Sequence, residues 1–540
     1  MADRTYTSSN DNAPKTTNSS TSSNNKYRIY QDPLIRPTIE LDELSLSSNQ
    51  TENSEKIENS VSLRFPLIKI NDYILSDSEI VSLELNCTGF LPTITLKATF
   101  KHQTFLSREM PKDGDIISVA IRNKSDLLKS VRNDYVITGV IAATNNTQAI
   151  VPTTMTFFGI LFIPLISSAK INFSHEGTSM GAVKEVAKQL GLGFATNEDD
   201  TDDKQVWISG FNTTTEYLQQ TVQRSWRDER SFYDIWIDIY YNLNFVNVNK
   251  QLLSSEEGVD IAALVNNIDK DFTWGANTEQ SKTVESPKVF SNYEAYRTSS
   301  FYIHTWRPIN KSTAVTFEVG SKMNCNLFEH NEGLYQDEKS QKYWSVPVEP
   351  SYDSEKIDKY ILLRGRATQD PGKRGDDLAR ANYSYPDMYI KNPWMGIQYT
   401  VTNPDDDNLQ WNGNHHKNYL RARLQNLVNM KELEKLNVEI TVNGTNLNII
   451  NGDKIPIVII KSDVTENLMI SPEAGKMDIL EQFYSGWFYV KGFVIKYNHE
   501  NDDSIMSNFT QKFILTRREW PPPIGVGSIE SEEQIENNTI

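Results

Sequence analysis

The chain has 540 residues, a formal net charge of −17, 38% hydrophobic residues and two cysteines. This length accommodates three or four domains at roughly one per 150 residues, and the negative charge excludes a protein that clamps nucleic acid, since phosphate binding needs concentrated Lys and Arg. No apolar run approaches the ~18 residues of a membrane span, and the start "MADRTYTSSNDNAPKTTNSS" lacks the apolar stretch of a secretory leader.

Residues 1–60 read as an arm. "SSNDNAPKTTNSSTSSNN" is polar and aperiodic and cannot bury enough apolar surface to offset its ordering entropy. "YRIYQDPLIRP" within it has the aromatic and apolar content of a docking piece, so the arm is either flexible or partner-docked. Over 61–170 the pattern is strand-like: "VSLRFPLIKI", "IVSLELNC", "TITLKATF", "GDIISVAIR", "DYVITGVIAAT" and "TMTFFGILFI" are short, β-branched and alternating, with Gly, Pro, Asn and Asp between them. Strands so closely spaced predict a small antiparallel barrel or sandwich.

Over 171–250 the period changes to helical. "TSMGAVKEVAKQLGLGF" puts Met180, Val183, Val186, Ala187 and Leu190 on one face, with Ser179 as N-cap and Gly191 at the end. A second helix is predicted through "TTTEYLQQTVQRSW". A third is predicted through "RSFYDIWIDIYYNL", where Phe232, Ile235, Trp236, Ile239 and Tyr240 fall at helical spacing as a core stripe; "FVNVNKQL" after it is strand-like. Residues 251–430 read as a mixed α/β middle domain. "SSFYIHTWRP" and "STAVTFEVG" are strand-like, "DKYILLRGR" is ambiguous, and "NYLRARLQNLVNMKELEKL" is helical with Leu420, Leu424, Leu427 and Val428 on one face. Strands return over 431–523 as "LNVEITVNG", "LNIINGDKIPIVIIK", "GWFYVKGFVIKYNH" and "FTQKFILTRRE", until "WPPP" ends the ladder. Residues 524–540 are a short acidic tail.

The two strand regions match. "TITLKATF", "GDIISVAI", "DYVITGVIAATNN" and "TMTFFGILF" correspond in order to "VEITVNGT", "GDKIPIVI", "WFYVKGFVIKYNH" and "FTQKFILTRR". In each set a Gly-Asp turn (Gly114/Asp115, Gly452/Asp453) leads into an alternating strand, and the next strand carries a central glycine (Gly139, Gly492) of the kind that marks a bulge or a close backbone approach. The expected fold class is therefore α+β: two similar antiparallel β-barrel (tube-like) modules with an inserted helical block and a mixed α/β middle domain.

The pair of β-modules resembles the baseplate central hub proteins of contractile-tailed bacteriophages, the family of late-control protein D and of the hub part of the VgrG spike. The block "GTSMGAVKEVAKQLGLGFATNEDDTDDKQVWISG" with "EYLQQTVQRSWRDERSFYDIWIDIYYNLNFVN", and the closing "GWFYVKGFVIKYNHENDDSIMSNFTQKFILTRREWPPP", share the resemblance. It covers about 61–250 and 431–523, covers 251–430 poorly and 1–60 not at all, and rests on order and pattern rather than on a catalytic signature. It implies a homotrimer that continues a hexameric tail tube and docks a central spike or cell-puncturing protein, with baseplate wedge proteins as further partners. DNA would pass through the channel without specific binding. The chain would be a structural protein of the virion tail baseplate, made in the host cytoplasm, with no enzymatic activity and no cofactor. The chain departs from a compact hub in its Asn/Ser/Thr-rich arm, its enlarged middle and its short end, so the spike and any lytic domain are expected on other chains. Another tail or baseplate component with barrel modules, and a glycan-binding or carbohydrate-active virion protein, stay open as alternatives.

No catalytic, cofactor-binding or metal-binding residue is assigned from sequence. Asp234 and Asp238 share a face of the predicted third helix, near Trp226 and Tyr241; a glycosidase would use such a pair, but a solvated face opposite a core stripe explains it as well. His415 and His416 beside Asp405, Asp406 and Asp407 lack the spacing of a metal helix. "ATNEDDTDDK" lacks the spacing of a calcium loop and reads as a solvated turn. "RGRATQDPGKRGDDLAR", with Arg364, Arg366, Lys373 and Arg374, reads as a solvated loop or a grip for an acidic partner. Cys87 and Cys325 fit no metal spacing; sequence leaves open that they pair, but two cysteines in a chain this long suggest free thiols in a reducing compartment.

Overall fold

The structure is a computed structural model. With internal gaps it describes residues 28–39, 66–253, 290–310, 436–459 and 484–517, four strands between 322 and 390, and separate positions from 416 to 433. The strands are β1 Arg28–Gln31, β2 Leu67–Ile70, β3 Tyr73–Ile74, β4 Ile80–Asn86, β5 Thr93–Phe100, β6 Ile116–Ile121, β7 Val131–Thr144 and β8 Thr153–Leu161. Next come β9 Ser174–Gly177, β10 Gly193–Thr196, β11 Gln205–Ile208, β12 Tyr233–Ile237, β13 Asn242–Asn247, β14 Phe290–Ser291 and β15 Ile303–Asn310. The last are β16 Lys322–Glu329, β17 Lys342–Pro347, β18 Asn382–Ser384, β19 Met388–Ile390, β20 Leu436–Asn443, β21 Lys454–Val458, β22 Gly486–Asn498 and β23 Phe509–Arg517. The helices are α1 Ser179–Gln189, α2 Thr214–Gln223 and α3 Val248–Leu253.

Thirteen strands form one sheet that curls into a half-barrel, in the order β15-β20-β23-β22-β4-β5-β8-β7-β6-β2-β3, with β21 on β22 and β14 on β21. The duplicated sequence occupies both halves. In the first, β5 pairs with β8, β8 with β7 and β7 with β6; in the second, β20 pairs with β23, β23 with β22 and β22 with β21. The registers agree to the residue. Ile116 lies opposite Val136 and its counterpart Lys454 lies opposite Tyr489. The register of β7 on β8 slips between Ile137 and Gly139, and that of β22 on β23 slips between Val490 and Gly492.

The duplication extends to a fifth strand that the sequence comparison did not contain. β4 pairs with β5 and β15 pairs with β20, and both registers slip one residue after the first strand position, between Ile80 and Ser82 and between Ile303 and Thr305. Each module is thus a five-stranded unit, and the stretch "IHTWRPIN" belongs to the second one although it was read as part of the middle domain. The two modules are joined edge to edge through β4 and β22. The second curls back on itself, because β14 pairs with β21 and Ser291 bridges Tyr302 just before β15; for the first, no such closing pair is seen among the described residues.

Between the modules lies a mixed block. β1, β10, β13 and β12 form a sheet, with β10 and β13 parallel, and β9 and β11 pair antiparallel across the intervening α1 and β10. α1 buries Met180, Val183, Val186, Ala187 and Leu190 as expected, and Gly191 leaves it at φ 70°. Its N-cap is Thr178, whose hydroxyl accepts from the Gly181 N–H, rather than Ser179. α2 carries a reciprocal cap between Thr213 and Glu216.

The expected third helix is instead the β12–β13 hairpin. Phe232, Tyr233, Ile235, Trp236, Ile237 and Ile239 are all buried. A strand covered on both faces gives a continuous apolar run, which also satisfies helical spacing. The β-branched and aromatic content favours the strand, and Tyr241 at φ 61° makes the turn. "FVNVNKQL" divides between β13 and α3. The arm piece docks on its own chain. β1 pairs antiparallel with β10, the Leu34 N–H donates to the Gly191 carbonyl at 2.9 Å, and Ile39 packs with Leu67 and Ala120.

β16 pairs with β17, β18 and β19 in a separate four-stranded sheet, and Cys325 lies opposite Trp344 on it. The expected stripe Leu420, Leu424, Leu427 and Val428 lies outside the described residues; helical positions there are Ala422, Asn426, Asn429, Met430 and Leu433.

Trp236→Ala should destabilise the chain by about 3–5 kcal/mol, as for large aromatics in cores, read by thermal or denaturant unfolding. A Cβ at Gly492 would stand 2.7 Å from the Thr88 Cα. Gly492→Val should therefore cost at least the ~1–3 kcal/mol of overpacking, because a backbone atom cannot rotate away, and the same unfolding measurement checks it.

Candidate assembly interface

The joint between the modules is an antiparallel ladder of β4 on β22. Asn86 faces Val494, Leu85 faces Ile495, Glu84 faces Lys496, Leu83 faces Tyr497 and Ser82 faces Asn498. The ladder continues where the Cys87 N–H donates to the Phe493 carbonyl at 2.9 Å. Lys496 Nζ meets Glu84 Oε2 at 2.9 Å across it, and Asn451 Nδ2 donates to the Cys87 carbonyl at 2.7 Å from below. Gly492 has no side chain because Cys87 and Thr88 cross directly over it. Cys87 is a free, buried thiol, and burial raises its pKa.

The tip of the β12–β13 hairpin wedges into the same joint. Ile237 N–H donates to the Phe90 carbonyl, Asn133 Nδ2 to the Ile239 carbonyl at 2.7 Å, and Tyr240 Oη to the Leu447 carbonyl at 2.6 Å. The first two partners belong to the first module and its loop, the last to the second.

The two Gly-Asp turns sit at equivalent places. Gly114 and Gly452 have φ of 91° and 86°. Asp115 Oδ2 accepts from Lys112 N–H at 2.7 Å and Asp453 Oδ2 from Ile450 N–H at 2.8 Å; the Asp115 and Asp453 carbonyls accept from Ile137 and Val490 N–H at 2.8 Å each. The copies differ in burial. Asp453 is enclosed, and desolvation pushes its carboxyl up to about 7, with the Ile450 N–H and Lys129 acting in the opposite direction.

The residues that suggested chemistry have structural tasks. Asp238 is buried and not on a solvated face. It closes the hairpin turn by accepting from the N–H groups of Tyr240 at 2.8 Å and Asn242 at 3.0 Å and from Asn244 Nδ2 at 3.0 Å, and burial raises its pKa. Asp234 is half-buried on β12 and its Oδ1 accepts from Ile235 N–H.

Two carboxylates of the loop read as solvated are enclosed. Glu198 meets Arg227, Lys250 Nζ at 3.3 Å and Asn247 Nδ2 at 2.5 Å. Asp203 accepts from Ser179 N–H and Oγ, Thr201 Oγ1 and Trp226 N–H, while burial pushes it up to about 6. His416 is buried with Nε2 3.0 Å from the Arg224 carbonyl. His415, the Asp405–Asp407 run and the Arg364–Arg374 loop lie outside the described residues. Among the described residues no group of three or more His, Cys, Asp or Glu side chains converges as a metal site, and no helix is long and apolar enough to cross a membrane.

Sequence reasoning missed Asn426. Its Oδ1 accepts from Tyr233 N–H at 2.8 Å, and its Nδ2 faces the carbonyls of Val222, Gln223 and Ser225 at 3.1–3.3 Å, where α2 ends. A buried amide serving a helix C-terminus from a distant helix leaves no local pattern.

No protein-family profile matches the chain, and no curated protein matches it. Among solved structures it is similar to a tail protein from Neisseria meningitidis MC58, with 10% identity, 85% of this chain and 96% of the other covered, and a TM-score of 0.41. It is also similar to the 43 kDa tail protein of prophage MuSo2 from Shewanella oneidensis, with 10% identity, 84% and 98% covered, and a TM-score of 0.42. A third is the E. coli c3393 protein, a component of the type VI secretion system with structural similarity to T4 bacteriophage tail proteins gp27 and gp5 (7% identity, 85% and 80% covered, TM-score 0.36).

The Asp453 carboxyl has a folded-state pKa of about 7 against an ordinary value of 3.8. Between those values the folded chain keeps a proton that the unfolded chain has released, so this group lowers stability as pH rises through the window. Asp453→Asn keeps an acceptor for Ile450 N–H and removes the titration. Melting curves across pH should show the variant gaining on the parent from about pH 4 to pH 8. Asn426→Ala should cost at least the ~1–3 kcal/mol of buried groups left without partners, read by denaturant unfolding.

Proposed function

We propose that this chain is a structural virion protein of a contractile tail, a baseplate hub of three copies that joins a hexameric tail tube to a three-fold central spike. The observation that carries this reading is the pair of five-stranded modules with common strand order, bulges and Gly-Asp turns. One chain with two such modules is the device by which three subunits present six similar surfaces, and so by which a three-fold object meets a six-fold one. In this reading residues 61–170 and 431–523, together with β15, line the ring. The arm, the mixed block and the middle region stand outside it, where wedge proteins dock. The spike and the tube protein occupy the two faces of the ring. The net charge of −17 lets DNA pass during ejection without adhering to the wall.

Among the described residues Asp238, the candidate acid, is spent on its own turn and gives an enzymatic role no support. The chain is expected to sediment at three times its monomer mass. Class averages from electron microscopy should show a ring of six similar lobes around a channel. A stable monomer or an even-numbered assembly would end this reading.

A further inference from the structure

The duplicated modules make different use of their edges. In the second module β22 is flanked on one side by β23 and on the other by β21 over its first half and by β4 over its second. In the first module β7 is flanked by β8 and, over its first half, by β6. Among the described residues no strand occupies the place beside Gly139–Thr144 that β4 occupies beside Gly492–Tyr497. The counterpart of β4 is β15, which pairs with β20; on its other side β14 reaches only its start, through the Ser291–Tyr302 bridge, and among the described residues no strand lies beside the rest. The molecule therefore has one joint filled within the chain and, among the described residues, the two halves of an equivalent joint left open, one in each module.

Side chains record the same vacancy. Val494 in the filled joint is 7% exposed, whereas its counterpart Ile141 is 60% exposed. A Cβ on Gly492 would meet the Thr88 backbone at 2.7 Å, whereas one on Gly139 would meet only the Phe158 ring, at 3.7 Å. Nothing within the described chain requires a glycine at 139, and its φ is not in the left-handed region. The close approach that explains Gly492 is missing around Gly139.

We propose that the free edge of β15 adds, antiparallel, to the Gly139–Thr144 end of β7 in a second copy of this chain, in the register that β4 and β22 define. Ile309 then lies opposite Ile141, Pro308 opposite Ala142, Arg307 opposite Ala143 and Trp306 opposite Thr144. The chain leaving the neighbour's β15 crosses Gly139 as Thr88 crosses Gly492. Pro308 replaces Leu85 and forfeits one ladder hydrogen bond, so the seam between copies is weaker than the joint within the chain. A proline at that position also guards the edge against unrelated strands. The contact is head-to-tail, and only its closure into a ring of three rests on the function proposed above.

The pair Ile141–Ile309 corresponds to Val494–Asn86, which lies between the hydrogen-bonded pairs, where opposed Cα atoms are about 4.5 Å apart and a disulfide fits. The full-length chain with Ile141→Cys and Ile309→Cys, oxidised, should give reducible intermolecular cross-links on a denaturing gel. Either single variant, or Ile141→Cys with the off-register Thr305→Cys, should give none beyond the parent's background. Gly139→Val should keep the parent's melting temperature and weaken self-association by about tenfold or more, as expected for a blocked interface centre, while the exposed Ile208→Arg leaves association unchanged. Sedimentation on the same samples separates the two readings. Trimers without the 141–309 cross-link would overturn the seam and leave the hub. Cross-linked chains that grow without closing at three would support the seam and overturn the hub. A chain that stays monomeric and uncross-linked would overturn both.

Discussion

The backbone ladder between Ser82–Asn86 and Val494–Asn498 is the constraint on which the fold depends. A module with two free strand edges exposes rows of unpaired N–H and C=O groups, which are costly if buried and adhesive if exposed. Joining β4 to β22 removes two of those edges and makes one sheet out of strands more than 400 residues apart. Large excursions are then accommodated between β8 and β15 and between β15 and β20, where the chain leaves one strand and returns to the same sheet. Because the ladder is backbone to backbone, side chains along it diverge freely, and only the glycine under the crossing strand and the turns that set the register are held by geometry.

The hairpin tip from Asp238 to Tyr241 locks that ladder from one side. It places an isoleucine carbonyl, a tyrosine hydroxyl and a backbone N–H against both modules at once. A turn in such a position must be rigid, and the buried Asp238 supplies the rigidity by capping N–H groups that would otherwise lack partners. Glu198 and Asp203 do similar work around α1 and β13. Burial raises the pKa of Asp238 and Asp203 as it does for catalytic groups, yet their hydrogen bonds are taken up by their own surroundings and leave no vacancy for a substrate.

The sequence made part of this legible. The strands of both modules, the Gly-Asp turns, the central glycines and the stripe on α1 follow from alternation, turn chemistry and helical period. The fifth strand did not, because β4 and β15 have little in common beyond Ile80 and Ile303, and their kinship is expressed in a bulge and a pairing partner. The β12–β13 hairpin misled because burial on both faces erases the alternation that identifies a strand. The acidic loop misled for a related reason: charge density in sequence does not distinguish a solvated turn from carboxylates drawn inward by Ser, Thr, Asn and backbone N–H donors contributed by distant segments.

The divergence between the copies is informative because it is uneven. The turns keep the same hydrogen bonds to within a few tenths of an ångström, while their burial differs so far that Asp453 is pushed up to about 7. Geometry common to both copies marks what any such module needs to exist: a fixed register, a bulge at the glycine, an anchored turn. Burial that differs marks what each copy faces. The second module's turn is buried, with Asn451 on the Cys87 carbonyl of the joint and Lys454 on the Leu252 carbonyl of the block, while in the first module's counterpart Gly114 is exposed and Asp115 half-buried. A duplicated fold therefore carries its own control experiment, in which the position filled in one copy shows what the open position in the other is shaped to receive.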